Sequence, residues 1–246
     1  MDFSKLADDL VLWLQETARG AGMQGYAVGL SGGIDSAVSA ALAVRAMGSE
    51  HVWAAWLPCH SLEEDAAYAR MVAEALHLKA ATVDLAPAFD ALMAALPAGT
   101  DMARANIKPR LRMTTLYYLA QSNRALVLGT GNKPEITVGY FTKYGDGGVD
   151  LEPLGELYKR DVRALARVLG IPEPVITRAP TAGLWPGQTD EGELGITYDL
   201  LDTILEAWEA GVDPDAPPEA VARVRRMFIA SAHKRVMPPV FPVRRH

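Results

Sequence analysis

Gly29-Leu30-Ser31-Gly32-Gly33-Ile34-Asp35-Ser36 is the stretch on which the fold turns. Tyr26-Ala27-Val28 before it is short and β-prone, and residues 37–47 after it are Ala-rich and helix-prone. The glycines therefore sit where a strand becomes a helix. Such a loop offers free backbone N–H groups and the positive end of a helix dipole, which together hold an anion. Gly32 and Gly33 let a phosphate approach the backbone, and Ser31 and Ser36 add hydroxyls. Asp35 repels phosphate unless a divalent cation lies between them. No Lys precedes Ser36, so this is not a Walker A loop, and it does not match GxGxxG. The stretch reads as a pyrophosphate cradle with a metal-binding Asp. The plainer reading is a Gly-rich turn whose Ser and Asp cap a helix.

Outward from this loop, strands and helices alternate. Phe3, Leu6, Leu10, Trp13 and Leu14 recur at helical spacing up to Gly20. Strands are expected at 26–30, 51–57, 80–83 and 125–128. The intervening helices fall at 37–47, from a Ser61/Glu64 capping box to 77, at 87–95, and from an Asp101 cap to 121. Pro109 within the last of these predicts a late start or a kink. Further helices are expected at 160–169, 198–210 and 218–236, with 133–157 irregular. This alternation predicts an α/β fold, a doubly wound, mostly parallel sheet with flanking helices, and residues 1–246 as one domain. Ligands then bind beyond the carboxyl ends of the strands, at the switch point. The polar, Gly- and Pro-rich residues 180–192 read either as a functional lid, with 181–192 the candidate, or as a simply disordered loop.

Thirty acidic and 24 basic residues give a net charge of −6, which does not suit a generic nucleic-acid grip. Cys59 is the only cysteine, so no internal disulfide or cysteine metal site can form, in keeping with a reducing cytoplasm. Cys59 itself reads as a packed small hydrophobe. No apolar run is long enough to span a bilayer, and the N-terminus is amphipathic rather than a signal peptide.

Gly129-Thr130-Gly131-Asn132-Lys133-Pro134-Glu135 again joins backbone donors to a carboxylate. If Glu135 and Asp35 face one site, they can share a divalent cation with phosphate oxygens. Taken alone, Glu135 is equally a solvated charge at a helix start. Ser31-Gly-Gly-Ile-Asp-Ser36 resembles the signature of the N-type ATP pyrophosphatases, with their adenine nucleotide alpha hydrolase-like, Rossmann-like fold. Further blocks narrow the resemblance to the NAD synthetase family: Asn106-Ile-Lys-Pro-Arg110-Leu-Arg-Met113, Phe141-Thr-Lys-Tyr-Gly-Asp-Gly-Gly148, Pro180-Thr-Ala-Gly-Leu-Trp185, Gln188-Thr-Asp-Glu191 and His233-Lys-Arg235. They lie in the family's order and span roughly residues 26 to 236. Pro134 departs from the Thr or Ser that the family usually carries there, which removes a hydroxyl and an N–H.

The resemblance implies an ATP- and Mg²⁺-dependent ligase that amidates deamido-NAD to NAD through an adenylate, releasing AMP and pyrophosphate. It implies that Gly29, Leu30, Ser31, Gly32, Gly33, Ile34, Asp35, Ser36, Thr130, Lys159 and Thr181 contact ATP, and that Asp35 and Glu135 hold Mg²⁺. Arg110, Lys143, Asp150, His233 and Lys234 match positions that contact deamido-NAD, partly from a neighbouring subunit of a homodimer. Asp35, Lys159 and Asp146 are the expected catalytic residues, with Asp146 placing the metal or the ammonia. Glutamine-using relatives carry a large N-terminal domain with a catalytic Cys. Here about 25 residues precede the first strand, so free ammonia is the expected donor. Two rivals stay open: another adenylating ATP pyrophosphatase, and a nucleotide-binding module without turnover.

Overall fold

A computed structural model describes residues 1–181, 183, 185 and 187–243. Four strands form one all-parallel sheet among these residues: β1 (Gly25–Gly29), β2 (Val52–Trp56), β3 (Ala81–Thr82) and β4 (Ala125–Val127). Their spatial order is β3-β2-β1-β4. The chain therefore builds outward from β1 in one direction, then returns to place β4 on the other side. The switch point lies between β1 and β4, where Tyr26 pairs with Leu126. Both glycine loops leave the sheet at that crevice, as the sequence predicts. Beyond β4 the sheet is extended by a bridge from Leu128 to Leu151.

Alternation along β1 explains the two layers. Tyr26 and Val28 point into one core with α1 (Phe3–Gly20), α2 (Ile34–Met47), α3 (Glu63–Ala75) and α8 (Lys159–Val168). Ala27 points the other way, towards α6 (Ile107–Ser122) through Ala120 and Leu116. On the same side Leu111, Leu116 and Leu119 pack on Cys59 and Phe89, the latter from α4 (Ala86–Ala95). The Tyr26 hydroxyl, buried in the first core, donates to the carbonyl of Leu14 at 2.6 Å. A separate C-terminal cluster joins α7 (Lys133–Val138), α11 (Tyr198–Glu209) and α12 (Pro218–Ala230).

Several local expectations are corrected. The Ser61/Glu64 capping box does not form. Helix α3 begins at Glu63, and Asp65 accepts the Leu62 N–H at 3.3 Å. The Ser61 hydroxyl instead accepts the Cys59 N–H at 3.2 Å. Thr100, rather than Asp101, caps the short α5 (Asp101–Ala105), and α6 starts late so that Pro109 falls in its first turn, where no N–H is needed. The stretch 133–157 opens with α7. Two more short helices, α9 (Glu173–Thr177) and α10 (Asp190–Leu194), escaped the pattern. Helix α12 ends at Ala230, and a 3₁₀ turn at Ala232–Lys234 follows it. No helix among the described residues is long and apolar enough to cross a membrane.

Candidate active site

The loop after β1 is organised by its own hydroxyls. Ser36 Oγ accepts the Ser31 N–H at 3.2 Å and donates to the Gly33 carbonyl at 3.0 Å, while Ser31 Oγ accepts the Gly33 N–H at 3.2 Å. Gly32 has φ +81°, and a Cβ there would strike the Asp65 carbonyl and Tyr68, so no other residue fits. No side chain caps α2, whose N-cap is Gly33. The N–H groups of its first turn therefore remain available to an anion.

The loop after β4 leads to the second carboxylate. Asn132 and Glu135 cap α7 reciprocally: Asn132 Oδ1 accepts the Glu135 N–H at 3.1 Å, and Glu135 Oε2 accepts the Asn132 N–H at 3.3 Å. Pro134 sits in the first helical turn and costs this cap nothing. The other oxygen, Glu135 Oε1, turns inward. There the Lys159 ammonium donates to Asp35 Oδ2 at 2.6 Å and to Glu135 Oε1 at 3.2 Å, and Asn132 Nδ2 donates to Asp35 Oδ1 at 3.1 Å. Lys159 is the first residue of α8 and only 1% exposed. Burial alone lowers its pKa, but the two carboxylates outweigh burial and raise it well above the usual lysine value. Burial pushes Glu135 up to about 7 against the pull of Lys159. Asp35 and Glu135, 100 residues apart in the chain, are thus brought onto one ammonium.

Around this cluster opens a cavity of about 510 Å³, within the ordinary range for a small-molecule site. Residues 29–36 line it except for Gly32, together with Thr130, Glu135, Asp146, Thr181 and Lys234; Lys159 lies just behind the two carboxylates it joins. Thr181 Oγ1 donates to the Gln188 carbonyl at 2.8 Å and accepts the Gly183 N–H at 3.1 Å. Asp146 accepts the Thr142 N–H at 2.9 Å. At the far end, the Lys234 ammonium donates to the carbonyls of Gly139 (2.7 Å) and Phe141 (2.6 Å). Arg110, Lys143 and His233 gather beyond the wall. Lys143 Nζ donates to the His233 carbonyl at 2.6 Å, and Arg110 donates to the Lys143 carbonyl at 3.3 Å. Asp150 stands apart from this group. Its carboxylate accepts the Tyr117 hydroxyl at 3.0 Å and the Val127 N–H at 2.7 Å, a structural engagement of both oxygens. The expected lid falls partly on Ala182, Leu184 and Pro186, which lie outside the described residues.

Sequence reasoning missed several groups in the wall and just behind it. Arg178 donates to Asp65 Oδ1 and to the Gly32 carbonyl at 3.4 Å, so it ties the segment before Thr181 to the glycine loop. Arg112 donates to the Leu57 carbonyl at 3.0 Å. Tyr140 bridges Asp190 and Glu193 at 3.1 and 2.7 Å. Glu152 accepts the Gly131 N–H at 2.9 Å, and its carboxyl occupies the space that a side chain on Gly129 would need. Asp190 lies inside the quoted Gln188–Glu191 block and Arg178 just before Pro180, but only the folded distances give them partners.

The wall carries six carboxylates (Asp35, Asp65, Glu135, Asp146, Asp190, Glu193) against three cations (Arg112, Arg178, Lys234). Such a wall repels a polyphosphate unless a cation is bound with it. Among the described residues no group of three or more His, Cys, Asp and Glu forms a ready-made cage. Two carboxylates with room for phosphate oxygens fit Mg²⁺, which keeps few protein ligands.

Comparison with known proteins places the chain. Residues 6–238 match the family model described as NAD synthase. The NH(3)-dependent NAD(+) synthetase of Carboxydothermus hydrogenoformans is 47% identical over 245 residues, covering 98% of each chain. A solved structure described as the NMN synthetase of Francisella tularensis superposes with TM-score 0.91 at 35% identity, covering 99% of this chain and 100% of that one. The NH3-dependent NAD synthetase of Campylobacter jejuni, solved with a nitrate ion, gives TM-score 0.85 at 29% identity, covering 98% and 100%. With a parallel sheet switched between β1 and β4 and both glycine loops at that crevice, the chain belongs to the NAD synthase family.

Proposed function

We propose that the protein amidates deamido-NAD to NAD with free ammonia, using ATP and Mg²⁺ and releasing AMP and pyrophosphate. The observation that carries this reading is the buried Lys159–Asp35–Glu135 cluster beneath an uncapped helix start at the switch point. A carboxylate is a poor electrophile, and ammonia does not displace its oxygen unaided. An oxygen of the nicotinate carboxylate attacks the α-phosphorus of ATP, the bond to the β-phosphate breaks, and pyrophosphate leaves. The ammonia lone pair then attacks the acyl carbon, AMP departs with the former carboxylate oxygen, and a proton is released. Little side-chain nucleophilic chemistry is needed, so positioning and charge stabilisation carry the rate.

Residues 29–36, Thr130 and Thr181 hold the nucleotide in this reading, and Lys159 neutralises charge on the departing pyrophosphate. Asp35 and Glu135 hold the Mg²⁺, which when bound screens the phosphates from the acidic wall. Asp146, at the cavity between the two ends, orients the incoming ammonia. Arg110, Lys143, Asp150, His233 and Lys234 receive deamido-NAD, Asp150 from the position where it also holds Tyr117 and β4. The chain works as one domain, as a homodimer in the cytoplasm.

One incubation tests the whole reading. Protein, ATP, Mg²⁺, ammonium and deamido-NAD are combined, and NAD, AMP and pyrophosphate are assayed. NAD formed in step with AMP supports it, and ATP bound without turnover defeats it. Asp35→Ala or Glu135→Ala removes pyrophosphate release while the fold is kept, because Lys159 retains one carboxylate partner in either variant. The Francisella neighbour is named for NMN, so the mononucleotide acid is the competing acceptor and is run in parallel.

A further inference from the structure

Tyr198 is the buried residue on which three parts of the site converge, and the reaction as written gives it no role. It is 0% exposed, at the first position of α11. Its hydroxyl donates to Glu135 Oε1 at 2.8 Å, and the same oxygen lies 3.1 Å from Asp190 Oδ2. Its ring faces the Lys159 ammonium, 4.6 Å from the ring centroid. Its backbone N–H donates to Glu191 Oε1 at 2.9 Å. The acidic pair Asp190 and Glu191, at the start of α10, thus grips Tyr198 at its hydroxyl and at its backbone. Leu201 and Leu194 of the same apolar cluster close round the ring. One turn along α11, Asp202 accepts the Arg160 N–H at 3.3 Å and holds the start of α8, where Lys159 sits.

We propose that Tyr198 is a positioning residue for the metal carboxylate: its hydroxyl fixes the inward oxygen of Glu135 and its ring fixes the height of Lys159, so that the placement of α10 is transmitted to both. The geometry leaves Glu135 Oε1 few other constraints. Its partner oxygen is committed to the α7 cap, and among the described residues the other donor to Oε1 is Lys159, which is shared with Asp35. A hydroxyl that fixes a ligating carboxylate sets its affinity for the ion without touching it. The proposal rests on Asp35 and Glu135 as the metal carboxylates.

The test measures Mn²⁺ binding by calorimetry in the presence of α,β-methylene-ATP, which cannot release pyrophosphate. The proteins compared are the parent, Tyr198→Phe, Tyr198→Leu and Glu135→Gln. Tyr198→Phe keeps the ring and loses one oxygen. It is expected to bind Mn²⁺ about tenfold more weakly, the lower end of what outer partners of metal ligands contribute. Its nucleotide affinity in EDTA and its melting temperature stay at the parent values. Tyr198→Leu also frees Lys159 and lowers kcat at saturating Mg²⁺, whereas Tyr198→Phe recovers most of its kcat there. Parent-like Mn²⁺ affinity in Tyr198→Phe overturns the role of Tyr198. So does a loss of metal affinity matched by equal losses of metal-free nucleotide affinity and melting temperature. If the parent binds Mn²⁺ no more tightly than Glu135→Gln, the metal assignment itself falls, an outcome distinct from both.

Discussion

The two ends of the cavity are built by different means. The nucleotide end is wound into the sheet edge: its loop follows a central strand, its hydroxyls bond within the loop, and its lysine is buried between two carboxylates. The far end is assembled from the turn after α7 and the 3₁₀ turn near the C-terminus, and its lysines rest on backbone carbonyls. His233, at its outer margin, is exposed. The first end is fixed before substrate arrives, which is what stabilising a developing charge requires. The second end has its cations parked on neutral acceptors, from which an anionic ligand can draw them without breaking an ion pair. Activation is thereby built rigidly, and recognition is left adjustable.

Lys159→Met breaks this contrast most severely. It removes the one cation shared by Asp35 and Glu135 and leaves two carboxylates facing each other, 19% and 15% exposed. Loss of one charge-stabilising donor costs about 10²–10³ in rate, and kcat/KM is expected to fall by at least that. Breaking a buried ion pair from one side also costs about 3 kcal/mol of stability. Thermal melts with and without Mg²⁺ check it: the variant regains more stability from Mg²⁺ than the parent does. A variant with near-parent kcat ends the idea that this end is preorganised around Lys159.

Lys234→Ala probes the other end. The side chain lines the cavity but also stitches Gly139 and Phe141. The expected result is a rise of about tenfold in KM for the dinucleotide acid, with kcat held within about threefold, the signature of lost ground-state binding. Initial rates over both substrates separate the two parameters. A fall in kcat without a rise in KM makes the far end part of the chemistry and erases the contrast.

Arg178→Gln is a smaller perturbation of the first end. Its guanidinium is held by Asp65, donates to Gly32 and stacks on Tyr68 at 4.4 Å. Gln loses the charge and the stack but keeps one donor. KM for ATP is expected to rise about fivefold, as one charged hydrogen bond is lost from the loop, while KM for the dinucleotide acid stays. A change in the second KM alone puts Arg178 at the wrong end.

The same division governs how much was legible in the sequence. The β1–α2 turn and the nucleotide loop follow from local signals: Gly32 at positive φ, the strand before it and the uncapped helix after it lie within a dozen residues. Asp35 and Glu135 could be named from their loops, but their joining through Lys159 could not, because 124 residues separate Lys159 from Asp35. Tyr198, Arg178 and Glu152 were invisible for the same reason: each acts through contacts with residues distant in sequence and sits in a stretch whose local pattern says only helix or turn. Asp150 shows the converse. Its position matches the family pattern, and only packing adds that its two oxygens accept from Tyr117 and β4. A motif fixes where a residue lies in the chain, and packing decides what its atoms touch.

Glu152→Gln is the finest test of how rigid the first end is. Burial, with the nearby Glu135, Asp146 and Asp35 adding to it, pushes the Glu152 carboxyl up to about 8 against the pull of the Gly131 N–H. In the unfolded chain a glutamate titrates near 4.3. The folded protein therefore binds more protons than the unfolded chain between these values. The contribution of Glu152 is fully present below about pH 4, declines as pH rises, and is lost above about pH 8. Glutamine copies the neutral form and still accepts the Gly131 N–H through its amide oxygen. At pH 9 the variant is expected to exceed the parent by on the order of 2 kcal/mol, and at pH 4 the two coincide. Urea unfolding at pH 4, 7 and 9 in metal-free buffer reads the difference. Parallel curves mean that the Gly129–Gly131 backbone relaxes away from the charged carboxylate, and that the loop after β4 is as adjustable as the far end.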